Sequence, residues 1–118
     1  MSWIVDFCQD STGNAPVERF LDSLPMQHRA KILALVAMLR TEGPTLPFPY
    51  SSQVRGRLRE LRTQAGKTRL RILYFADANR TFILLLGTVK NSAKLEESDI
   101  QIAERNMADH NRRLERKK

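Results

Sequence analysis

Residues 57–89 hold three β-type segments in close succession: RLRELR (57–62), TRLRILYFA (68–76) and TFILLLGTV (81–89). The stretches between them, TQAGK (63–67) and DANR (77–80), are short and rich in turn-forming residues. Strands joined this tightly pair as antiparallel hairpins, because a parallel pairing needs a crossover of about a dozen residues or more. The third segment is apolar on both faces, which sets it in the sheet interior.

The flanks supply the other layers. SWIVDF (2–7) reads as a short first strand. Val17, Phe20, Leu21 and Leu24 recur at helical spacing, with Asn14 as a candidate cap and Pro16 in the first turn. Pro25 ends that helix and opens a second, with Ile32, Leu33, Leu35, Val36 and Leu39 along it and Gly43–Pro44 as its stop. The two make an αα-hairpin. PTLPFPYSS (44–52), with its repeated proline, is a surface loop or an extended edge segment. A last helix follows residue 96 with Ile100, Ala103 and Met107 on one stripe and Ser98 as a candidate cap.

The order β-α-α-β-β-β-α predicts an α+β fold: a small, mainly antiparallel sheet, two N-terminal helices on one face, and a C-terminal helix. The second sheet face is expected to be open. At 118 residues the chain is expected to be a single domain, 1–118.

The charge is lopsided. Residues 1–50 hold four Lys/Arg against five Asp/Glu, whereas residues 51–118 hold sixteen against eight. Within 55–71 stand six arginines, Lys67 and a single acid, Glu60. Guarding a sheet edge takes only one or two cations. A cluster this dense repels itself and is relieved by a polyanion, with release of counterions.

Other classes are disfavoured. The one cysteine, Cys8, allows no intramolecular disulfide and reads as an inert small hydrophobe. With no signal peptide visible, the cytoplasm is the expected compartment. No apolar run is long enough to span a bilayer. His28, His110 and Cys8 stand in no metal-ligand spacing, so neither a metal nor another cofactor is expected. Both histidines read as solvated surface residues.

Strand parity sorts the cations. Leu70, Ile72 and Tyr74 share a face that reads as core; Arg69, Arg71, Leu73 and Phe75 share the other. Phe75 and Tyr50 read as packing residues, with stacking on a base as the alternative, and Trp3 reads as packing. Glu96, Glu97 and Asp99 are expected to favour the start of the last helix.

The order of LRELR, RLRILYF and ILLLGTVKNSAK, with FLDSLP and the Gly43 turn before them, resembles the HigB-type toxins of the RelE/ParE superfamily. These are phage-related toxins of bacterial type II toxin–antitoxin pairs. The resemblance spans nearly the whole chain. It implies a RelE-like fold and a toxin that cleaves mRNA within the translating ribosome, held in check by a small antitoxin of the helix-turn-helix type. It also implies that Arg62, Arg71, Lys90 and Lys94 form the catalytic group. The chain departs from the family pattern at Asn91, where a second lysine is common, and at Leu95, where a proline is common. The ParE branch, which inhibits DNA gyrase, and a non-catalytic RNA-binding module are the alternatives.

The residues suit metal-free cleavage. RNA carries its own nucleophile, the 2′-hydroxyl. Arginine binds phosphate bidentately and stays charged, so Arg62 and Arg71 fit stabilisation of the developing charge. Lys90 or Lys94 is the candidate base, provided cationic neighbours depress it. Arg55, Arg57, Arg59, Lys67 and Arg69 are expected to bind the RNA backbone.

Overall fold

The computed structural model describes residues 2–10, 12–90 and 94–116. The chain runs β1 (Val5–Phe7), α1 (Pro16–Ser23), α2 (Met26–Glu42), a short 3₁₀ turn (Gly43–Thr45), β2 (Ser51–Arg55), β3 (Leu58–Ala65), β4 (Thr68–Ala76), β5 (Phe82–Lys90) and α3 (Glu97–Arg116). The strands form one sheet in the order β1-β5-β4-β3-β2. All neighbours pair antiparallel except β1 and β5, which are parallel; the helical hairpin carries the chain from β1 to β2 at the other edge of the sheet.

One strand exceeds the expected order. β2 emerges from the proline-rich segment and pairs with β3 through the tight turn at Gly56–Arg57. Its lack of a hydrophobic alternation hid it: at an edge, backbone pairing suffices. Two caps also differ from expectation. Ala15 precedes α1, and Asn14 instead donates its side-chain amide to Thr12. Glu96 accepts from the first amides of α3, so Ser98 lies inside the helix.

The face of Leu61, Leu70, Ile72, Tyr74 and Leu84 packs on Val17, Leu21, Ile32, Leu35 and Leu39 of α1 and α2. Arg29 fixes the joint between these helices: its guanidinium donates to the carbonyls of Leu21, Asp22 and Leu24 at the end of α1.

The opposite face is not open along its whole length. Ala103, Ile100 and Met107 of α3 cover Leu58, Leu73, Phe75, Ile83 and Leu85. An irregularity in β5 opposite Leu73 and Tyr74 turns both Leu85 and Leu86 toward this second core. A helical stripe and a half-apolar sheet face each need a partner, and they find each other. The hairpin end of the sheet, where that face carries charge instead, stays uncovered.

Candidate functional site

The uncovered end is built by register. Arg62 on β3 lies directly opposite Arg71 on β4, and Arg69 lies opposite both Gln64 on β3 and Lys90 on β5. Residues paired in this way project to the same side of a sheet, so four cations gather on the face that α3 leaves open. Arg71 is almost fully buried at 3% exposure, whereas Arg62, Arg69 and Lys90 are partly exposed.

Glu60 stands among them. Its side chain is nearly buried, two residues before Arg62 and on the same face. Arg71 Nε lies 3.5 Å from its Oε2, and Arg62 Nε lies 3.6 Å from its Oε1. Ser52 Oγ donates to Oε1 at 3.1 Å. One carboxylate thus sets the spacing of two guanidinium groups. In the sequence Glu60 stands only as the lone acid of the stretch; its parity with Arg62 is the signal that places it among the cations.

Lys90 Nζ lies 3.4 Å from Glu96 Oε1 and 3.6 Å from Asp99 Oδ2. These carboxylates, expected to serve only the helix start, hold a cation of the sheet. The arrangement is that of a positioned cation. Lys94 is exposed in the segment leading to α3, and Asn91, where the chain departs from the toxin pattern, lies outside the described residues.

The remaining cations disperse. Arg55 donates to Glu104 and Glu97 of α3; these hydrogen bonds, Glu104's the larger, push its guanidinium up, and the bond from Arg55 holds the Glu104 carboxyl below its usual range. Arg57 lies with its guanidinium carbon 5.4 Å from the Phe75 ring centre and donates to the Ala76 carbonyl. Arg59 lies opposite Tyr74, on the helix-covered face, and donates to Ser51 Oγ. Lys67 occupies the exposed tip of the β3–β4 hairpin. Of the expected backbone contacts, Arg69 alone lies beside Arg62 and Arg71 at the uncovered end; Arg55 shares their face but is held under α3.

Tyr74 is a core residue, as parity indicates, and its hydroxyl meets Ser51 Oγ at 2.6 Å; Phe75, on the other face, packs as expected, in the second core under α3. Tyr50 departs from expectation: it is 43% exposed. His110 departs too. Its Nε2 lies 3.0 Å from Asp77 Oδ2, and its ring meets Phe75 edge-on. A histidine four turns into a helix gave no sign that the β4–β5 turn would carry its partner. Among the described residues, no group of three or more His, Cys, Asp or Glu side chains is placed to hold a metal ion, and no helix is long and apolar enough to cross a membrane.

A five-stranded sheet with a helical hairpin on one face and a third helix over half of the other is a RelE-like α+β fold, here with a cationic patch at its uncovered end. The chain belongs to a phage family: residues 19–108 match the family model described as Phage derived protein Gp49-like (DUF891). Among solved structures, it resembles a double mutant of Escherichia coli toxin RelE in the free state, at 14% identity and a TM-score of 0.60, over 89% of this chain and 97% of that one. It is also similar to the archaeal RelE–RelB complex from Pyrococcus horikoshii, at 19% identity and a TM-score of 0.46, over 75% of this chain and 94% of that one. Among curated proteins, none matches.

Proposed function

We propose that this chain is the toxin of a type II toxin–antitoxin pair, of the HigB type, and that it cleaves mRNA on the translating ribosome in the bacterial cytoplasm. The observation that carries the reading is the cross-strand pairing of Arg62 with Arg71 around Glu60, with Arg69 and Lys90 beside them.

An RNA strand laid over the uncovered face meets guanidinium groups already oriented by protein contacts. Arg62 binds the scissile phosphate, and Arg71, buried directly behind it, adds its charge to the field that offsets the negative charge built up as the 2′-oxygen attacks. The 2′-hydroxyl gives up its proton to water, the bond from phosphorus to the 5′-oxygen breaks, and the leaving 5′-oxygen takes a proton from water, giving a 2′,3′-cyclic phosphate and a 5′-hydroxyl. Arg69 and Lys90 hold neighbouring phosphates. Glu60 acts as a positioning residue for both arginines. Among the described residues no side chain of this face is placed as a strong base, so alignment of the strand by the ribosome supplies part of the rate. Cleavage of free RNA is accordingly weak and cleavage of translated mRNA strong.

The partners of this reading are the ribosome, mRNA and a small antitoxin of the helix-turn-helix type. The test is induction in cells with mapping of transcript 5′ ends, beside Arg62→Ala and Arg71→Ala controls. New ends within translated transcripts, lost in both variants, support the reading. Intact transcripts with DNA damage signals indicate gyrase inhibition; intact transcripts with tolerated overproduction indicate an RNA-binding module.

A further inference from the structure

Beyond the cations, one feature of the uncovered end has no role in phosphate chemistry. β2 begins at Ser51, opposite Leu61, whereas β3 runs on to Ala65. The Pro47–Tyr50 turn closes beside the unpaired part of β3: Tyr50 and Ser51 amides donate to the Pro47 carbonyl, and the Arg62 amide donates to the Tyr50 carbonyl. The result is a notch of about 270 Å³, walled by Pro49 and Tyr50 on one side and by Arg62, Gln64, Arg69 and Arg71 on the other.

Tyr50 lines the notch, and Phe48 stands just outside it, across Arg62. Phe48 is 69% exposed and Tyr50 43% exposed, and neither belongs to a core cluster. The Arg62 guanidinium carbon lies 5.4 Å from the Phe48 ring centre. Large exposed aromatics beside a group of arginines form an arrangement suited to an unpaired base and its phosphates: the base stacks on a ring, and the cations take the backbone. Gln64 donates its amide to the Gly66 carbonyl, which leaves its side-chain oxygen as an acceptor at the wall.

We propose that this notch is a nucleobase subsite: one base of single-stranded RNA, splayed from its neighbours, stacks on Tyr50 and Phe48 while the adjoining phosphates lie on Arg62 and Arg69. The inference rests on the nuclease reading and adds to it, because it assigns base contacts to residues outside the phosphate group. A duplex cannot enter, since its bases are stacked and its aromatic faces hidden.

The test uses the full chain and short oligoribonucleotides with one 2-aminopurine, moved along the sequence, the sugar at that position being 2′-deoxy to block cleavage. At one position, binding of the wild type is expected to quench the probe strongly. Combined Phe48→Ala and Tyr50→Ala replacement is expected to remove that quench and weaken binding roughly 5- to 100-fold. The dependence of affinity on salt stays as in the wild type, because no phosphate contact is lost. Tyr50→Phe retains the quench. Arg69→Gln keeps the quench but lowers the salt slope.

An aromatic double variant with wild-type quench and affinity overturns the subsite, as does equal binding of a duplex. A wild type that quenches no probe position also overturns it, and if that protein still cuts translated mRNA the nuclease reading survives. A chain that neither binds nor cuts RNA ends both. Thermal melting of each variant shows whether the exposed replacements leave the fold intact.

Discussion

Arg71 and Glu60 meet diagonally across adjacent strands, with 3.5 Å between Nε and Oε2, and both are nearly buried. A guanidinium placed this deep is rigid: its rotamers are limited by packing, and the carboxylate fixes its direction. Removing one partner of a buried pair costs about 3 kcal/mol or more, because the other charge stays behind. Glu60→Ala is therefore expected to lower stability by about 3 kcal/mol, as measured by denaturant unfolding.

Glu60→Gln separates fold from function. The amide keeps the size of the side chain and an acceptor for Ser52 Oγ, but drops the charge that spaces Arg62 from Arg71. A small misplacement of groups that align a phosphate costs on the order of 100-fold. The expected outcome is ribosome-dependent cleavage slowed roughly 10- to 100-fold in kcat, with KM nearly unchanged. A merely structural Glu60 would leave kcat of the folded fraction at the wild-type value.

Asp77 and His110 fasten α3 to the β4–β5 turn. Burial alone would raise the Asp77 carboxyl, but the hydrogen bond with His110 and the amides of Thr81 and Asn79 outweigh it and hold the carboxyl below its usual value. A depressed carboxylate contributes stability that is fully present above the unfolded pKa of about 3.9 and is lost as pH falls through the lower folded value. Asp77→Asn is thus expected to cost about 1.5–3 kcal/mol at neutral pH, the range for hydrogen bonds to a charged group. The difference from wild type should shrink below about pH 4. Urea melts from pH 3 to 7 check this; a gap that stays constant across that range would exclude the carboxylate charge as its source.

The layering was readable because hydrophobic period and turn chemistry agreed over long segments: Val17, Leu21, Ile32, Leu35 and Leu39 all turn inward, and Ile100, Ala103 and Met107 make the expected stripe. Strand parity correctly paired Arg69 with Arg71 and separated them from Leu70 and Ile72. Contacts between distant segments carried no such local signal. Arg55 meets Glu97 and Glu104, and Lys90 meets Glu96 and Asp99, only because α3 returns across the sheet. The Glu60 position between two arginines depends on the β3–β4 register, which follows from the two-residue turn at Gly66–Lys67. That turn needs the positive φ of Gly66. The base-sized notch depends on where β2 stops, and backbone pairing at an edge leaves little trace in side-chain pattern.

Cys8 is buried against α3, with Sγ 3.6 Å from the Asn106 carbonyl. Burial pushes its thiol up, partly offset by Arg113. The thiolate is the reactive form, so both the shift and the lack of access suppress reaction. Native protein is expected to react with a disulfide reagent at neutral pH far more slowly than the same chain unfolded in urea. Equal rates would mean that the α3 contact opens freely.

Gly87 tests the seat of α1 on the sheet. It lies in β5, opposite Ile72, on the face that carries the helical hairpin, and a Cβ built there would overlap the Phe20 ring. The ring therefore rests directly on the strand backbone, a contact only glycine permits. Gly87→Ala forces Phe20 and with it α1 outward, at a cost of about 1–3 kcal/mol typical of overpacking. Phe20→Ala removes the obstacle, so adding Gly87→Ala in that background should cost much less. The coupling between the two sites is expected to be roughly 1–3 kcal/mol, and a double-mutant cycle by thermal or urea unfolding reads it directly. Strict additivity would mean that the penalty at position 87 arises from β5 itself and not from the ring that lies on it.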